Sequence, residues 1–366
     1  MAHPSDAYES ESCFKYESLE AQTPDTIRLL TVSPGTCEPI QCTLTNFRLG
    51  TRDSGWKALS YMWGTQERDK VISINQKPFH VRPNLWSCLK RMQGSQSSTE
   101  IWIDAICVNQ DDVEERNQQV LLMCKIYRLA DGVIAWLGDD SSTRLLEADQ
   151  IPPYLKKYDI LYWKTRLLEP GLDSREQSSV EDSETLTAPH PPSASRRQLS
   201  KALLRVCTYP EITEAEKTAI SSLACSAYWS RAWIIQELSH ARSVRVWFGA
   251  KGDMKLQSLV SLLWVTEVQC SENVLTILKY RTARGQTTGS LGYSVRELMT
   301  KFQQTRCKDP RDKVYAFLSL AIDVKSVGVE ADYSKSVRDL CSDLHRAYGY
   351  EPGRHLRACP CRAPRT

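Results

Sequence analysis

The chain lacks the short signatures that mark most nucleotide-using and hydrolytic enzymes. Its 366 residues contain no GxxxxGK[ST] phosphate loop, no GxSxG elbow, no HExxH helix and no strand-linked GxGxxG. Glycines 285, 289 and 292 stand too far apart to cradle a phosphate at a helix start, so GQTTGSLG reads as a connection and an ATPase is disfavoured. Charge of one sign is also missing. The 47 basic and 44 acidic side chains leave a formal +3, so no broad field points to nucleic acid or to an anionic membrane. No apolar run reaches the roughly eighteen residues of a membrane span. Residues 1–14, MAHPSDAYESESCF, show no basic start followed by an apolar core, so no secretory signal is expected. Internal repeats and sustained heptads are absent. A cytoplasmic protein without membrane or nucleic-acid partners is the expectation.

Thirteen cysteines are present, but in a chain of this length without a secretion signal they do not suggest a disulfide framework. Cys88, Cys107, Cys124, Cys207 and Cys225 lie in apolar segments and read as buried small hydrophobes. Cys341, His345, His355, Cys359 and Cys361 match no common zinc spacing, so no metal is expected.

Hydrophobic residues make up 41% of the chain, enough for one large core or two of ordinary size. Residues 27–34 and 40–49 are β-rich runs separated by Pro34, Gly35 and Pro39, which predicts an entrance hairpin. WKALSYMWG (56–64) reads as a buried strand ending at a glycine turn, and residues 71–81 as a second hairpin turning near Asn75 to Lys77. Pro83 and Asn84 open a helix carrying Leu85, Cys88, Leu89 and Met92. Segment 100–108 predicts a strand apolar on both faces, as in a parallel sheet. A helix capped at Asp111 follows, with Val120, Met123, Cys124 and Tyr127 on one stripe, and GVIAWLG returns as a strand. The three form a βαβ unit.

Residues 139–198 break this pattern, and the Ser-, Pro- and charge-rich stretch at 170–198 reads as a mobile insertion. Beyond it come helices near 199–208, 214–227 and 231–238, a strand at 243–249, and helices near 253–268 and 294–305. The expected fold class is α/β, a parallel sheet flanked by helices with N-terminal β-hairpins and a mainly helical C-terminal half. The expected divisions are a tail at 1–25, a main domain at 26–240 with its central motifs at 56–240, a helical continuation at 241–348 and a disordered tail at 349–366.

Five stretches fall in an order that resembles the heterokaryon incompatibility (HET) domain of filamentous fungi: WKALSYMWG, EIWIDAICVNQ at 100–110, DGVIAWLG at 131–138, RAWIIQEL at 231–238 and DPRDKVYAFLSLA at 309–321. The resemblance implies a signalling module of self/non-self recognition that triggers programmed cell death on contact with an incompatibility partner or on self-assembly into a homo-oligomer. HET domains are in turn distantly similar to Toll/interleukin receptor (TIR) domains, which implies a flavodoxin-like parallel sheet and a place in innate immunity. Some TIR domains hydrolyse NAD with one helical glutamate, preceded four positions earlier by a tryptophan. The matching residues are Trp233 and Glu237.

On this likeness Glu237 is the catalytic candidate, and Ser60, Trp63, Gly64, Asn109 and Trp233 are substrate-binding candidates. NAD would enter as substrate, and no cofactor is implied. On a helix Trp233 and Glu237 share a face, so the indole could desolvate the carboxylate or stack on a substrate ring. Ser60 to Gly64 and Asn109 to Asp111 belong at the carboxyl ends of strands, where open α/β sheets bind ligands. A carboxylate there could stabilise the oxocarbenium character that develops when the nicotinamide bond breaks. Plainer roles stand beside these: Glu237 as an exposed carboxylate paired with Arg231 or Arg242, Trp233 as core, Asp104 as a structural acceptor, and Trp63 and Gly64 as a packed aromatic and an obligatory turn. A non-catalytic interaction scaffold is the remaining alternative.

Overall fold

In the computed structural model, Asn75 and Gln76 adopt left-handed φ angles of 50° and 67°. Two consecutive residues of that kind make the tight turn whose twist suits a hairpin. They join β4 (Lys70–Ile74) to β5 (Lys77–Val81), and a second antiparallel pair, β1 (Thr26–Val32) with β2 (Ile40–Arg48), precedes them. The structure describes residues 13–19, 24–51, 55–65, 67–140, 213–266, 268, 273–277, 281 and 292–348. The insertion expected at 170–198, the helix expected at 199–208, the tail expected at 349–366 and Cys207 lie outside these residues.

The nine strands of the described residues form one mixed sheet in the order β5-β4-β2-β1-β6-β3-β7-β8-β9. Its centre is parallel: β6 (Thr99–Trp102), β3 (Lys57–Tyr61), β7 (Val133–Trp136) and β8 (Val244–Phe248) run together. Taken in chain order, these four lie 2-1-3-4, the order of a flavodoxin-type sheet, and the switch point falls between β3 and β7. The predicted βαβ unit is present, but its crossover passes over β3, because β3 separates β6 from β7. β3 and β7 are buried along almost their whole length, as strands covered on both faces should be. The edge strand β9 (Gly252–Lys255) runs antiparallel to β8. A Cβ on Gly252 would lie 2.1 Å from the Phe248 ring, so the closeness of this turn requires glycine.

Helix α1 (Pro83–Gln93) starts with proline in its first turn and buries Leu85, Cys88, Leu89 and Met92, the stripe read from its spacing. The strand expected over 100–108 stops at Trp102. Asp104 then turns the chain: its Oδ1 accepts from its neighbour's amide, Ala105 N, at 2.7 Å, and Asp104–Cys107 form one helical turn, α2. Helix α3 (Val113–Leu129) is capped by Asp112, one residue after the expected Asp111, with Oδ1 accepting from Glu114 N and Glu115 N. Its buried face holds Glu115, Gln119, Met123, Ile126 and Tyr127, whereas Val120 and Cys124 are only partly buried. The face is rotated toward polar residues because β1 supplies their partners. Arg28 pairs with Glu115 at 2.6 Å, and the Gln119 amide donates to Thr26 O at 2.9 Å.

The segment expected as a helix at 214–227 is α4 (Glu214–Ala224), closed by a capping box of Thr213 and Glu216, followed by a 3₁₀ turn at Ala227–Ser230. Helix α5 (Trp233–His240) leads into β8. The helix expected near 253–268 gives its first residues to β9 and runs only as α6 (Leu256–Thr266). The remainder is helical: α7 (Val295–Lys301), α8 (Asp312–Leu318), α9 (Val324–Val327) and α10 (Val337–Ala347). Of the cysteines read as core, Cys88 and Cys107 are buried, Cys124 is partly buried and Cys225 is exposed. Among the described residues no helix is long and apolar enough to cross a membrane.

Candidate functional site

Beneath the carboxyl ends of β3 and β6 the fold buries polar groups that an apolar core would exclude. Ser60 points inward from the penultimate position of β3, Tyr228 from the 3₁₀ turn, and Glu237 from α5. The Ser60 hydroxyl donates to Glu237 Oε2 in a short hydrogen bond and lies 2.6 Å from the Tyr228 hydroxyl. All three are buried, with Glu237 only 2% exposed. The carboxyl therefore meets the Ser60 hydroxyl, which in turn contacts that of Tyr228.

A second, half-buried layer lies outside the first. Arg231 Nη1 approaches Glu237 Oε2 to 3.6 Å, a charge contact longer than a hydrogen bond, and the arginine is 18% exposed. Asp104 accepts from the indole N–H of Trp63 at 2.9 Å, and the Arg82 guanidinium lies 4.8 Å from the Trp63 ring centroid. Burial pushes the Glu237 carboxyl up. Arg231 and the Ser60 hydroxyl pull it back, and Asp104 adds to the rise. Asp104 is likewise pushed up by burial and held down by Arg231 and Trp63. For Arg231 burial works against the charge, but the two carboxyls outweigh it and keep the guanidinium protonated. One cation thus serves two acids. The set can hold a proton on Glu237 to higher pH than on a free carboxyl, or present a carboxylate to a developing positive charge.

The switch point between β3 and β7 is occupied by Asn84 of α1. Its amide donates to Met62 O at 2.6 Å and its carbonyl accepts from Trp136 Nε1 at 2.9 Å. Gly64 takes φ +71°, so the turn after β3 favours glycine for its backbone; a Cβ there would meet Asn84 at an ordinary 3.6 Å.

The candidates separate accordingly. Ser60 and Glu237 are in direct contact, and Trp63 borders them through Asp104. Gly64 shapes the turn beside them. Asn109 lies elsewhere: its backbone N–H donates to Glu115 Oε1 at 2.7 Å, on the side of α3 that faces Arg28. Trp233 donates a side-chain hydrogen bond to Asp312 of α8 and packs against the core. Its partner is the C-terminal half, not the Glu237 carboxyl. Glu237 is buried where the plainer reading had it exposed, although Arg231 is its partner as that reading supposed. Tyr228 and Asn84 were missed as site residues. Tyr228 precedes Glu237 by nine positions across a 3₁₀ turn, so no periodicity links them, and Asn84 reads as part of a helix start.

The heterokaryon incompatibility protein (HET) family model matches residues 56–237, about half of the chain. The chain belongs to this family. Heterokaryon incompatibility protein 6, OR allele, of Neurospora crassa is 33% identical over 161 residues, which cover 39% of this chain and 24% of that relative. The chain therefore aligns with about a quarter of the relative's length. No solved structure matches it. The HET match begins at Trp56, at the entrance to β3, and ends on Glu237. Ser60, Trp63, Asp104, Tyr228, Arg231 and Glu237 all fall inside it, so the buried polar cluster belongs to the HET segment itself.

Proposed function

We propose that this protein is a signalling module of fungal self/non-self recognition, in which contact with an incompatibility partner or self-assembly triggers cell death from the cytoplasm. The observation that carries the reading is the Ser60–Glu237–Tyr228 cluster at the strand ends of a HET segment. A carboxyl closed in by hydroxyls and one arginine, 2% exposed, is in a resting arrangement. Outward movement of Arg231 and α5 exposes it, which ties output to partner contact. The test is conditional expression of the full chain in a filamentous fungus. Growth arrest with uptake of a membrane-impermeant dye supports the reading, and normal growth at high abundance defeats it.

A second reading assigns the output to NAD hydrolysis. It is favoured by Glu237 lying beneath the carboxyl ends of parallel strands with its carboxyl pushed up by burial. Concentrated, assembled protein should then convert NAD to nicotinamide and ADP-ribose, and Glu237→Gln should abolish the conversion. Cell death without NAD loss leaves a scaffold that works by recruitment, and its toxicity would survive Glu237→Gln.

A further inference from the structure

Three elements meet at a thiol and an imidazole. Cys124 of α3 places its Sγ 3.4 Å from Nε2 of His240, the last residue of α5, and Ser319 Oγ at the end of α8 lies 3.0 Å from the same nitrogen. Cys124 is partly exposed, so a small reagent can reach it, whereas His240 is buried. We propose that His240 activates Cys124 as a nucleophile and that Cys124 is a site of covalent modification by soft electrophiles or peroxide.

The geometry supplies the route for the proton. The Sγ–Nε2 contact is short enough for the thiol to pass its proton to Nε2, leaving a thiolate beside an imidazolium. His240 stands at the C-terminus of α5, where the free carbonyl ends favour a cation. Arg281 donates to Leu238 O at 2.5 Å and Ala241 O at 2.7 Å at the same helix end. Its charge opposes the imidazolium and favours the thiolate. Of the other charged neighbours, Glu237 lies one turn back on α5 and Arg128 one turn along α3. Several other described cysteines differ. Burial pushes the Cys42 and Cys107 thiols up to about 12, and Cys307 to about 11. Cys37 and Cys225 are exposed and have no imidazole bonded to them among the described residues.

With iodoacetamide, Sγ forms a bond to the methylene carbon, iodide leaves, and the proton stays on His240 until solvent removes it. With hydrogen peroxide, Sγ attacks one oxygen and the O–O bond breaks. The departing hydroxide takes the proton to become water, so the thiol is oxidised to a sulfenic acid as peroxide is reduced.

The test is limited iodoacetamide labelling of the full chain at pH 6.5, with each cysteine quantified by mass spectrometry. A thiol paired with an imidazole gains thiolate faster than it loses intrinsic nucleophilicity, a net rate gain on the order of tenfold. Cys124 should therefore label about tenfold faster than Cys37 and Cys225, and His240→Gln should remove that advantage. Equal labelling of the three in the wild type would overturn the proposal without recourse to the variant. So would retention of the advantage in a folded His240→Gln protein.

Discussion

Arg231 faces two carboxyls, Glu237 and Asp104, that burial pushes up and the guanidinium pulls back down. Removing such a cation leaves buried acids without compensation, whereas making Glu237 neutral keeps its hydrogen-bonding shape. Arg231→Ala should lower unfolding free energy by about 3 kcal/mol, and Glu237→Gln by under about 1 kcal/mol, as measured by urea denaturation. Equal losses would place the stabilising role elsewhere. Asp312 gives a pH signature. Burial pushes its carboxyl from 3.8 to about 6, against hydrogen bonds from Tyr333 and Trp233 that pull it down. Between those values the folded chain holds a proton that the unfolded chain has released, so stability falls as pH rises from about 4 to about 6, by about 3 kcal/mol. Glu237 and Asp104, also pushed up, slope the same way. Asp312→Asn should flatten the stability profile over that range and raise stability at pH 7, and an unchanged slope would remove Asp312 as its source. At this scale the sequence named Ser60 and Glu237, because a motif recorded them. It did not show Tyr228 or the Trp233–Asp312 bond, because each contact is made only when distant segments fold together.

The family match ends on Glu237, but α5 does not stand by itself. Ala232 N donates to Arg306 O at 3.0 Å, so the residues flanking Arg231 are pinned to a segment outside the match. Tyr333 donates to Asp312 at 2.6 Å and also lies 4.9 Å from the Arg116 guanidinium, which joins the same segment to α3. Phe302 and Phe317 stack with centroids 5.4 Å apart, both buried beneath this layer. Phe317→Ala should cost about 3–5 kcal/mol and increase amide exchange in 232–240 before it does so in β3. Uniform loss of protection would show instead that α5 has no separate support. Element order was legible through hydrophobic period and turn residues: the Asn75–Gln76 hairpin, α1 and the βαβ unit all read from the chain. The strand over 100–108 misled because its residues are apolar on both faces up to Val108. What ends it is a single Asp104 side chain bonding to the adjacent amide, a local competition that periodicity does not register.

Across the whole molecule, the parallel centre of the mixed sheet brings β3, β6 and α5 together so that Glu237 lies under the strand ends, closed off by Arg231. The sequence could suggest a parallel sheet from doubly apolar strands. It could not reveal that β3 would insert between β6 and β7, or that both N-terminal hairpins would extend the same sheet, because strand order depends on long-range pairing. The central claim is that this closed cluster holds the protein's output. The most direct measurement is the survival of fungal cells expressing Glu237→Gln at wild-type abundance, with folding confirmed by an unchanged thermal transition. Survival of these cells, alongside death of those expressing the wild-type chain, is the predicted result. Death at the wild-type rate in cells carrying the folded variant would contradict it.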